Sequence, residues 1–271
     1  MKGAIVGDIV GSRFEWENIK TKEFELFVEG ESDFTDDSVL TLATAQALMN
    51  LLPGCPETVY CEEFRTMYIR FANKYPGRGY GEGFLRWLQD GGRKPYYSCG
   101  NGSAMRVSPV AWKARTLEEC ERLAKYSAEV SHDHPDGIAG AQATAGACWL
   151  GLHGADKEEI RAYVERFYKL DFTLDEIRPA YHFGNFQALN AGTVPYAVEA
   201  FLESTDFEDC IRNTMSIGGD SDTLGAIAGA VAEGFYGVPD EIWAEAEKRL
   251  DRFARGLVKR FYERVLPAME N

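Results

Sequence analysis

The segment Gly218-Gly219-Asp220-Ser221-Asp222-Thr223-Leu224-Gly225-Ala226-Ile227-Ala228-Gly229 joins an acid-rich opening to a run of small and apolar residues. The run continues to Gly237 with almost no charge, so we predict a buried helix that begins at the acids. A glycine inside a helix costs roughly 1 kcal/mol relative to alanine. Its repeated use here therefore indicates that the backbone of a neighbouring helix comes very close.

Helical periodicity recurs along the whole chain, and sustained two-residue alternation is hard to find. A second buried, glycine- and alanine-rich helix is predicted over Gly137–Leu152. Apolar residues at helical spacing predict another helix that opens just after Asp37, and one long amphipathic helix that runs from Pro239 to near Pro267. No linker, low-complexity run or internal repeat divides the chain. We therefore expect an all-α fold, a compact single-domain helical bundle over residues 1–271.

The composition excludes some classes of partner. The chain has 271 residues, is 45% hydrophobic and carries a net charge of −14, whereas a general nucleic-acid binder needs a basic face. Its six cysteines lack Cys-x-x-Cys spacing, which favours reduced thiols. The first residues resemble neither a signal peptide nor a membrane span. We expect a cytoplasmic protein with no membrane partner.

Two acid-rich segments, Thr35-Asp36-Asp37 and Asp220-Ser221-Asp222-Thr223, each open a predicted helix. Either segment alone is explained by an N-cap and by acids that the helix dipole favours. A calcium loop that begins at Asp220 fails, because Leu224 and Val231 occupy positions five and twelve, which require oxygen ligands. Together the two segments could form a cage of oxygen ligands.

Charge arithmetic favours two ions in such a cage. Four carboxylates, those of Asp36, Asp37, Asp220 and Asp222, would balance two Mg²⁺ ions. The hydroxyl groups of two threonines would complete the shell as neutral ligands. Oxygen-only ligation suits Mg²⁺ or Mn²⁺ and not zinc.

Three further segments carry polar groups in small-residue contexts. Gly7 to Glu15 reads as a tightly packed first helix with a solvated end. Ser98 to Arg106 is either an ordinary Asn-Gly turn or a loop whose backbone N–H groups cradle phosphates. Ser131-His132-Asp133-His134-Pro135-Asp136 is a surface loop or part of a site, although Pro135 argues against a separate zinc centre.

In this order, the segments resemble the ADP-ribosylglycohydrolase family, which includes the enzymes that reactivate ADP-ribosylated dinitrogenase reductase. The resemblance runs nearly end to end, and its most specific motif is the segment quoted first. It implies an all-α bundle with a binuclear Mg²⁺ site. The implied metal ligands are Thr35, Asp36, Asp37, Asp220, Asp222 and Thr223. The implied substrate-binding residues are Ser98, Gly100, Asn101, Gly102, Ser103 and His132.

The same resemblance implies a Mg²⁺-dependent hydrolase that cleaves the glycosidic bond between ADP-ribose and a modified target, such as an ADP-ribosylated protein, and releases ADP-ribose. The implied acid-base residues are Glu15, Asp36, Asp37 and Asp222, with Glu15 on a mobile loop over the metals. A catalytically silent ADP-ribose-binding protein and a binuclear metal phosphoesterase stay as alternatives. Some relatives are expected to have an acid or an aromatic residue before the Gly-Asn-Gly, where this chain has Ser98-Cys99, so the linkage and the target stay open.

Overall fold

The computed structural model describes residues 1–182, 184 and 186–269, with side chains described up to residue 265. These residues form α-helices joined by loops, and none of them belongs to a β-strand. The helices are α1 (Lys2–Gly11), α2 (Asp36–Asn50), α3 (Glu57–Lys74), α4 (Glu82–Gln89), α5 (Gly102–Met105), α6 (Pro109–Lys113), α7 (Leu117–Glu129), α8 (Pro135–Leu152), α9 (Lys157–Val164), α10 (Leu174–Ile177), α11 (Asn190–Leu202), α12 (Phe207–Ile217), α13 (Ser221–Tyr236), α14 (Asp240–Glu247) and α15 (Arg252–Met269). The expected all-α fold is confirmed.

The closest helix pair is α1 against α13, and glycines make the contact. A Cβ atom on Gly7 would lie 1.8 Å from the carbonyl oxygen of Gly225, and one on Gly11 would lie 2.3 Å from that of Ser221. Both distances are far below any real carbon–oxygen contact, so only glycine allows the two backbones to approach this closely. The predicted reason for glycine in α13 is therefore correct, and α1 is the neighbouring helix.

The second small-residue helix, α8, packs against the other side of α13. A Cβ atom on Gly234 of α13 would lie 2.5 Å from the carbonyl oxygen of Cys148. Nearly every residue of α13 is buried, and α8 is largely buried as well. Both helices predicted from glycine and alanine content are thus present. With α1, they form the centre of the molecule.

Helix α2 begins at Asp36, two residues before the predicted start just after Asp37, because Thr35 is its N-cap and accepts a hydrogen bond from the backbone N–H of Asp37. Asp36 and Asp37 therefore occupy the first turn of the helix. The predicted apolar stripe that starts at Val39 is buried in the core. This helix carries the first acid segment into the protein interior.

The prediction of one long helix between Pro239 and Pro267 is wrong. The chain forms two helices there, α14 and α15, because Asp251 starts a new helix by accepting the backbone N–H of Ala254 at 2.8 Å. Apolar periodicity continues across this break and therefore conceals it. Similarly, α1 ends at Gly11, so Glu15 lies beyond the helix and not on a further turn of it.

Two bulk expectations can be compared with the described structure. All six cysteines are unpaired. Among the described residues, no helix combines the length and the apolar character that crossing a membrane requires.

We predict that Gly7→Ala destabilises the protein by about 3 kcal/mol or more, because the new Cβ meets backbone that cannot move away cheaply. The free energy of unfolding from chemical denaturation measures this. Gly256→Ala in α15 is the matched control, because its Cβ would meet only the flexible end of Arg260, at 3.2 Å. The control should be neutral or stabilising by about 0.5–1 kcal/mol. Equal effects of the two substitutions would contradict the close-contact explanation.

Candidate metal and ligand site

The carboxylate of Asp8, on α1, lies buried against the N-terminus of α2. It accepts hydrogen bonds from the backbone N–H of Thr35 at 3.0 Å, the Thr35 hydroxyl at 2.6 Å and the backbone N–H of Ser38 at 3.0 Å. Free N–H groups at a helix start favour a negative charge there. Asp8 was not among the predicted ligands. The sequence offers one indication of its role. Asp8 follows Gly7 in a helix predicted to be tightly packed, where a buried acid is exceptional.

The two predicted acid segments meet at this point. The Thr35 hydroxyl lies 3.3 Å from a carboxylate oxygen of Asp37 and 3.3 Å from one of Asp222. From the other segment, the Thr223 hydroxyl lies 3.5 Å from the same oxygen of Asp37. Residues from α2 and from the start of α13 therefore share one polar cluster, which the contact between α1 and α13 holds in place.

The carboxylates form two groups that share one residue. The first triad consists of Asp8, Asp37 and Asp222, and the second triad consists of Glu15, Asp220 and Asp222. Within each triad, ligand oxygens lie within 4.8 Å of one another. A shared carboxylate between two adjacent oxygen clusters is an arrangement that suits two neighbouring cations. All donors are carboxylates or hydroxyls, which Mg²⁺ and Mn²⁺ prefer.

Asp36 belongs to neither triad. Its backbone N–H donates to the carbonyl of Arg78 at 2.8 Å, and its half-buried side chain lines the cavity beside the triads. Glu15 is also half-buried and lines the same cavity. Asp36, itself a predicted metal ligand, thus lies beside the triads and not within them, while Asp8 and Glu15, which were not predicted as ligands, complete them.

Burial and mutual repulsion raise the pKa values of several carboxylates in this cluster and so favour their protonated forms. Burial and then the charge of Asp222 raise the pKa of Asp8 to about 7, and the same two causes raise the pKa of Glu15 to about 7. The pKa values of Asp36, Asp37 and Asp220 are raised well above the ordinary range, again first by burial and then by Asp222. Carboxylates crowded in this way favour either protons or cations.

One carboxylate oxygen favours cations over protons in this cluster. Oδ1 of Asp37 is buried and has no hydrogen-bond partner among the described residues. A buried carboxylate oxygen is rarely left without a partner, since the cost of desolvation is not offset. The cluster therefore fits a divalent cation on chemical grounds.

Every triad carboxylate except Asp8 lines one wall of a cavity of about 350 Å³, a volume typical of small-molecule sites. The predicted substrate-binding residues that line it are Ser98, Gly100, Asn101, Gly102 and His132. The Ser98 hydroxyl accepts the backbone N–H of Gly100 at 3.1 Å and so shapes the loop. We call the segment from Ser98 to Gly102 the glycine loop. The acid triads and the glycine loop face the same cavity.

Asn101 contacts the acid cluster directly. Its amide donates to Oδ2 of Asp220 at 2.7 Å and to the Thr193 hydroxyl at 3.1 Å. The hydrogen bond to Asp220 holds this carboxylate in its position within the second triad. Ser103, in contrast, does not line the cavity, because its hydroxyl donates to the carbonyl of Gly137 at 2.6 Å and accepts from Asn190 at 3.0 Å.

His132 presents a neutral imidazole to the glycine loop. Burial, and then the positive charge of Arg106, lowers the pKa of His132 well below its ordinary value. The Ser131 hydroxyl lies 2.8 Å from Nδ1 of His132 and already accepts a hydrogen bond from Arg106 at 2.9 Å. If its own hydrogen is donated to Nδ1, the ring proton resides on Nε2. A Cβ on Gly102 would lie 3.2 Å from that Nε2, so glycine keeps the donor accessible.

Arg106 is a feature that the sequence analysis did not assign to the site. Its side chain is fully buried, donates to the carbonyl of Ser127 at 2.8 Å, and lies 4.1 Å from the ring centroid of Tyr68. Nε and Nη1 have no partner among the described residues. A guanidinium keeps its charge even when buried, so a positive charge lies beneath the glycine loop. Its presence in the motif that ends at residue 106 was the available signal.

Comparisons with known proteins point to one family. The family model described as ADP-ribosylglycohydrolase matches residues 1–267. The chain is 25% identical to ADP-ribosylhydrolase ARH3 of Danio rerio, with 96% of this chain and 88% of that protein aligned. It is 29% identical to the ADP-ribosyl dinitrogen reductase glycohydrolase of Rhodospirillum rubrum, with 76% and 70% aligned. A solved structure, described as an ADP-ribosylglycohydrolase-related protein complex, has the same fold, with a TM-score of 0.68 and 22% identity over 96% of this chain and 94% of that one.

We predict that the metal-free protein loses stability as pH rises from about 4 through about 7. The raised pKa values of Asp8 and Glu15 mean that the folded state binds more protons than the unfolded chain in this window. Stability is therefore complete at the acidic end of the window and declines through pH 7. Saturating Mg²⁺ should reduce the decline, because cations replace the protons.

Thermal unfolding across this pH range, in EDTA and in Mg²⁺, checks this prediction. Asp8→Asn should flatten the metal-free curve, since it removes one of the titrating groups. A metal-free melting temperature that is level or rises between pH 5 and 7 would contradict the prediction.

Proposed function

Because this chain belongs to the ADP-ribosylglycohydrolase family, a family of glycosyl-bond hydrolases whose model matches residues 1–267, we propose that it cleaves the bond between ADP-ribose and a modified acceptor and that the reaction depends on Mg²⁺. The observation that carries the proposal is the pair of acid triads that share Asp222 and face the glycine loop across one cavity.

The two walls of the cavity suit the two ends of an ADP-ribosyl group. We assign the phosphates to the glycine loop, where the Nε2–H of His132 is a donor and the buried charge of Arg106 favours an anion. Gly100 and Gly102 leave room for close approach of the phosphates. The terminal ribose, and with it the bond to be cleaved, then lies at the acid triads.

The residues that would hold two cations are Asp8, Glu15, Asp37, Asp220 and Asp222, with the hydroxyl groups of Thr35 and Thr223. Bound divalent cations supply Lewis acidity and a template for the hydroxyl groups of ribose. Asn101 would keep Asp220 in the orientation that ligation needs. Asp36, outside both triads, contributes negative charge to the same cavity wall.

Hydrolysis requires water to attack the anomeric carbon of the ribose and the acceptor to leave with the bonding electron pair. We assign proton transfer to Glu15, because its carboxyl lines the cavity and is half-buried, so it can exchange protons with solvent. Glu15 takes the proton of the attacking water and then delivers it to the leaving acceptor. The remaining carboxylates stabilise the positive charge that develops on the ribose.

We propose an ADP-ribosylated protein as the substrate, since a relative with 29% identity is a glycohydrolase of ADP-ribosyl dinitrogen reductase. A panel of ADP-ribosylated arginine, serine and DNA-base substrates would identify the linkage. Mass spectrometry of the products separates the alternatives. A phosphoesterase would release AMP or phosphate, and a silent ADP-ribose-binding protein would bind ADP-ribose and release nothing.

We predict that EDTA abolishes release of ADP-ribose and that excess Mg²⁺ restores it. Asp222→Asn should lower kcat/KM more than about 100-fold, because loss of a shared ligand exceeds the usual effect of a residue that only supports a ligand. Asp90→Asn is the matched control, since Asp90 is exposed and lies outside the cluster. Equal release of ADP-ribose with and without chelator would reject the metal mechanism, and wild-type activity in Asp222→Asn would reject the shared ligand.

We also predict that His132→Ala raises KM about 10-fold or more while kcat changes little, because a hydrogen bond to a charged phosphate contributes about 1.5–3 kcal/mol. His132→Gln keeps an N–H donor and should recover part of the affinity. Steady-state kinetics with one ADP-ribosylated substrate checks both variants. A fall in kcat with unchanged KM would instead place His132 in the chemical step.

A further inference from the structure

A second cavity of about 560 Å³ lies elsewhere on the molecule, and we name it the distal cavity. It is lined in part by Tyr60, Trp112, Lys113, Arg115, His153 and Arg264. It shares no lining residue with the cavity of the acid triads. Its volume is within the range of about 300–1,000 Å³ that is usual for small-molecule sites.

Helix α2 separates the two cavities. Asp36 begins the helix at the acid triads, whereas Arg264 donates to the carbonyl of Met49 at 3.1 Å in its last turn. Pro53, just beyond that end, lines the distal cavity. With 15 residues at about 1.5 Å each, the ends of α2 lie roughly 21 Å apart. A ligand in the distal cavity would therefore not reach the acid triads.

Three cationic side chains converge on the distal cavity, those of Lys113, Arg115 and Arg264. No salt bridge joins any of them to a carboxylate within the described part of the chain. One acid, Glu119, also lines the cavity, and its carboxylate accepts the backbone N–H of Arg115 at 2.8 Å. Burial, and then the charge of Arg115, lowers the pKa of Lys113. Crowded like charges are costly, and a bound anion would relieve that cost.

Flat ring surfaces lie beside these cations. The Trp112 ring meets Tyr262 edge-on at 5.0 Å, and the His153 ring stacks on Trp149 at 3.8 Å. Both rings are thus held in place by neighbours while they line the cavity. Cationic side chains form charge-assisted hydrogen bonds with phosphates, and a planar base can stack on an aromatic ring.

We propose that the distal cavity binds a nucleotide, with its phosphates on Lys113, Arg115 and Arg264 and its base against the aromatic wall. The net charge of −14 repels anions in general. Attraction must therefore come from these local cations and not from the overall field. The assignment is independent of the hydrolase reaction proposed above.

Isothermal titration with ADP in saturating Mg²⁺ tests the proposal. Lys113→Ala and Arg115→Ala should each raise Kd about 10-fold or more, since each removes a charge-assisted contact. Arg93→Ala is the matched control, because it removes an exposed cation outside the cavity and should leave Kd unchanged. Pyrophosphate, which lacks the base, and adenosine, which lacks the phosphates, should both bind more weakly than ADP.

The arms of the test separate this site from the acid site. If ADP bound at the triads, its Kd would not change in Arg115→Ala. The same variant should still release ADP-ribose at the wild-type rate. Failure of hydrolysis in Asp222→Asn would leave the Arg115-dependent binding intact. The Arg115 side chain makes no described hydrogen bond, so this variant should fold even if Lys113→Ala does not. No measurable binding, an unchanged Kd in Arg115→Ala, or equal weakening by Arg93→Ala would overturn the proposal.

Discussion

The contact between the backbones of α1 and α13 is the constraint on which the site depends. Glycines on both helices leave out the side chains that would hold the helices apart. A Cβ atom on Gly7 would lie 1.8 Å from the carbonyl oxygen of Gly225, so no larger residue fits there. This approach brings Asp8 of α1 next to Asp222 of α13, and the N-terminus of α2 then lies over both. The same glycines therefore allow the central helices to pack and bring the carboxylates of the triads together.

The same packing creates an electrostatic repulsion between carboxylates that a bound cation would relieve. Five carboxylates converge in one polar cluster. Burial and the charge of Asp222 raise the pKa values of the other four, and Oδ1 of Asp37 has no described hydrogen-bond partner. Such a cluster is costly when it is ionised and empty of counter-charge. The polar residues around it, including Thr35 and Asn101, orient its oxygens without neutralising them. The proposed binding of cations would therefore stabilise this part of the fold.

The two walls of the cavity carry charges of opposite sign. Acids line one wall, and the buried guanidinium of Arg106 lies beneath the other. The proposed phosphate site is therefore compatible with a net charge of −14. Local potential, and not total charge, decides what binds. The distal cavity follows the same rule, with three cations at the far end of α2.

The sequence by itself determined the helical fold, the buried small-residue helices and both acid-rich helix openings, because periodicity and capping are local properties. The chemistry of the same side chains predicts oxygen-bound cations. The tertiary structure decided which of these groups meet. It added Asp8 and Glu15 to the triads, left Asp36 beside them, turned Asn101 toward Asp220 and divided the predicted last helix at Asp251. These outcomes depend on contacts between residues distant in the chain, and no local pattern encodes the distance between two backbones.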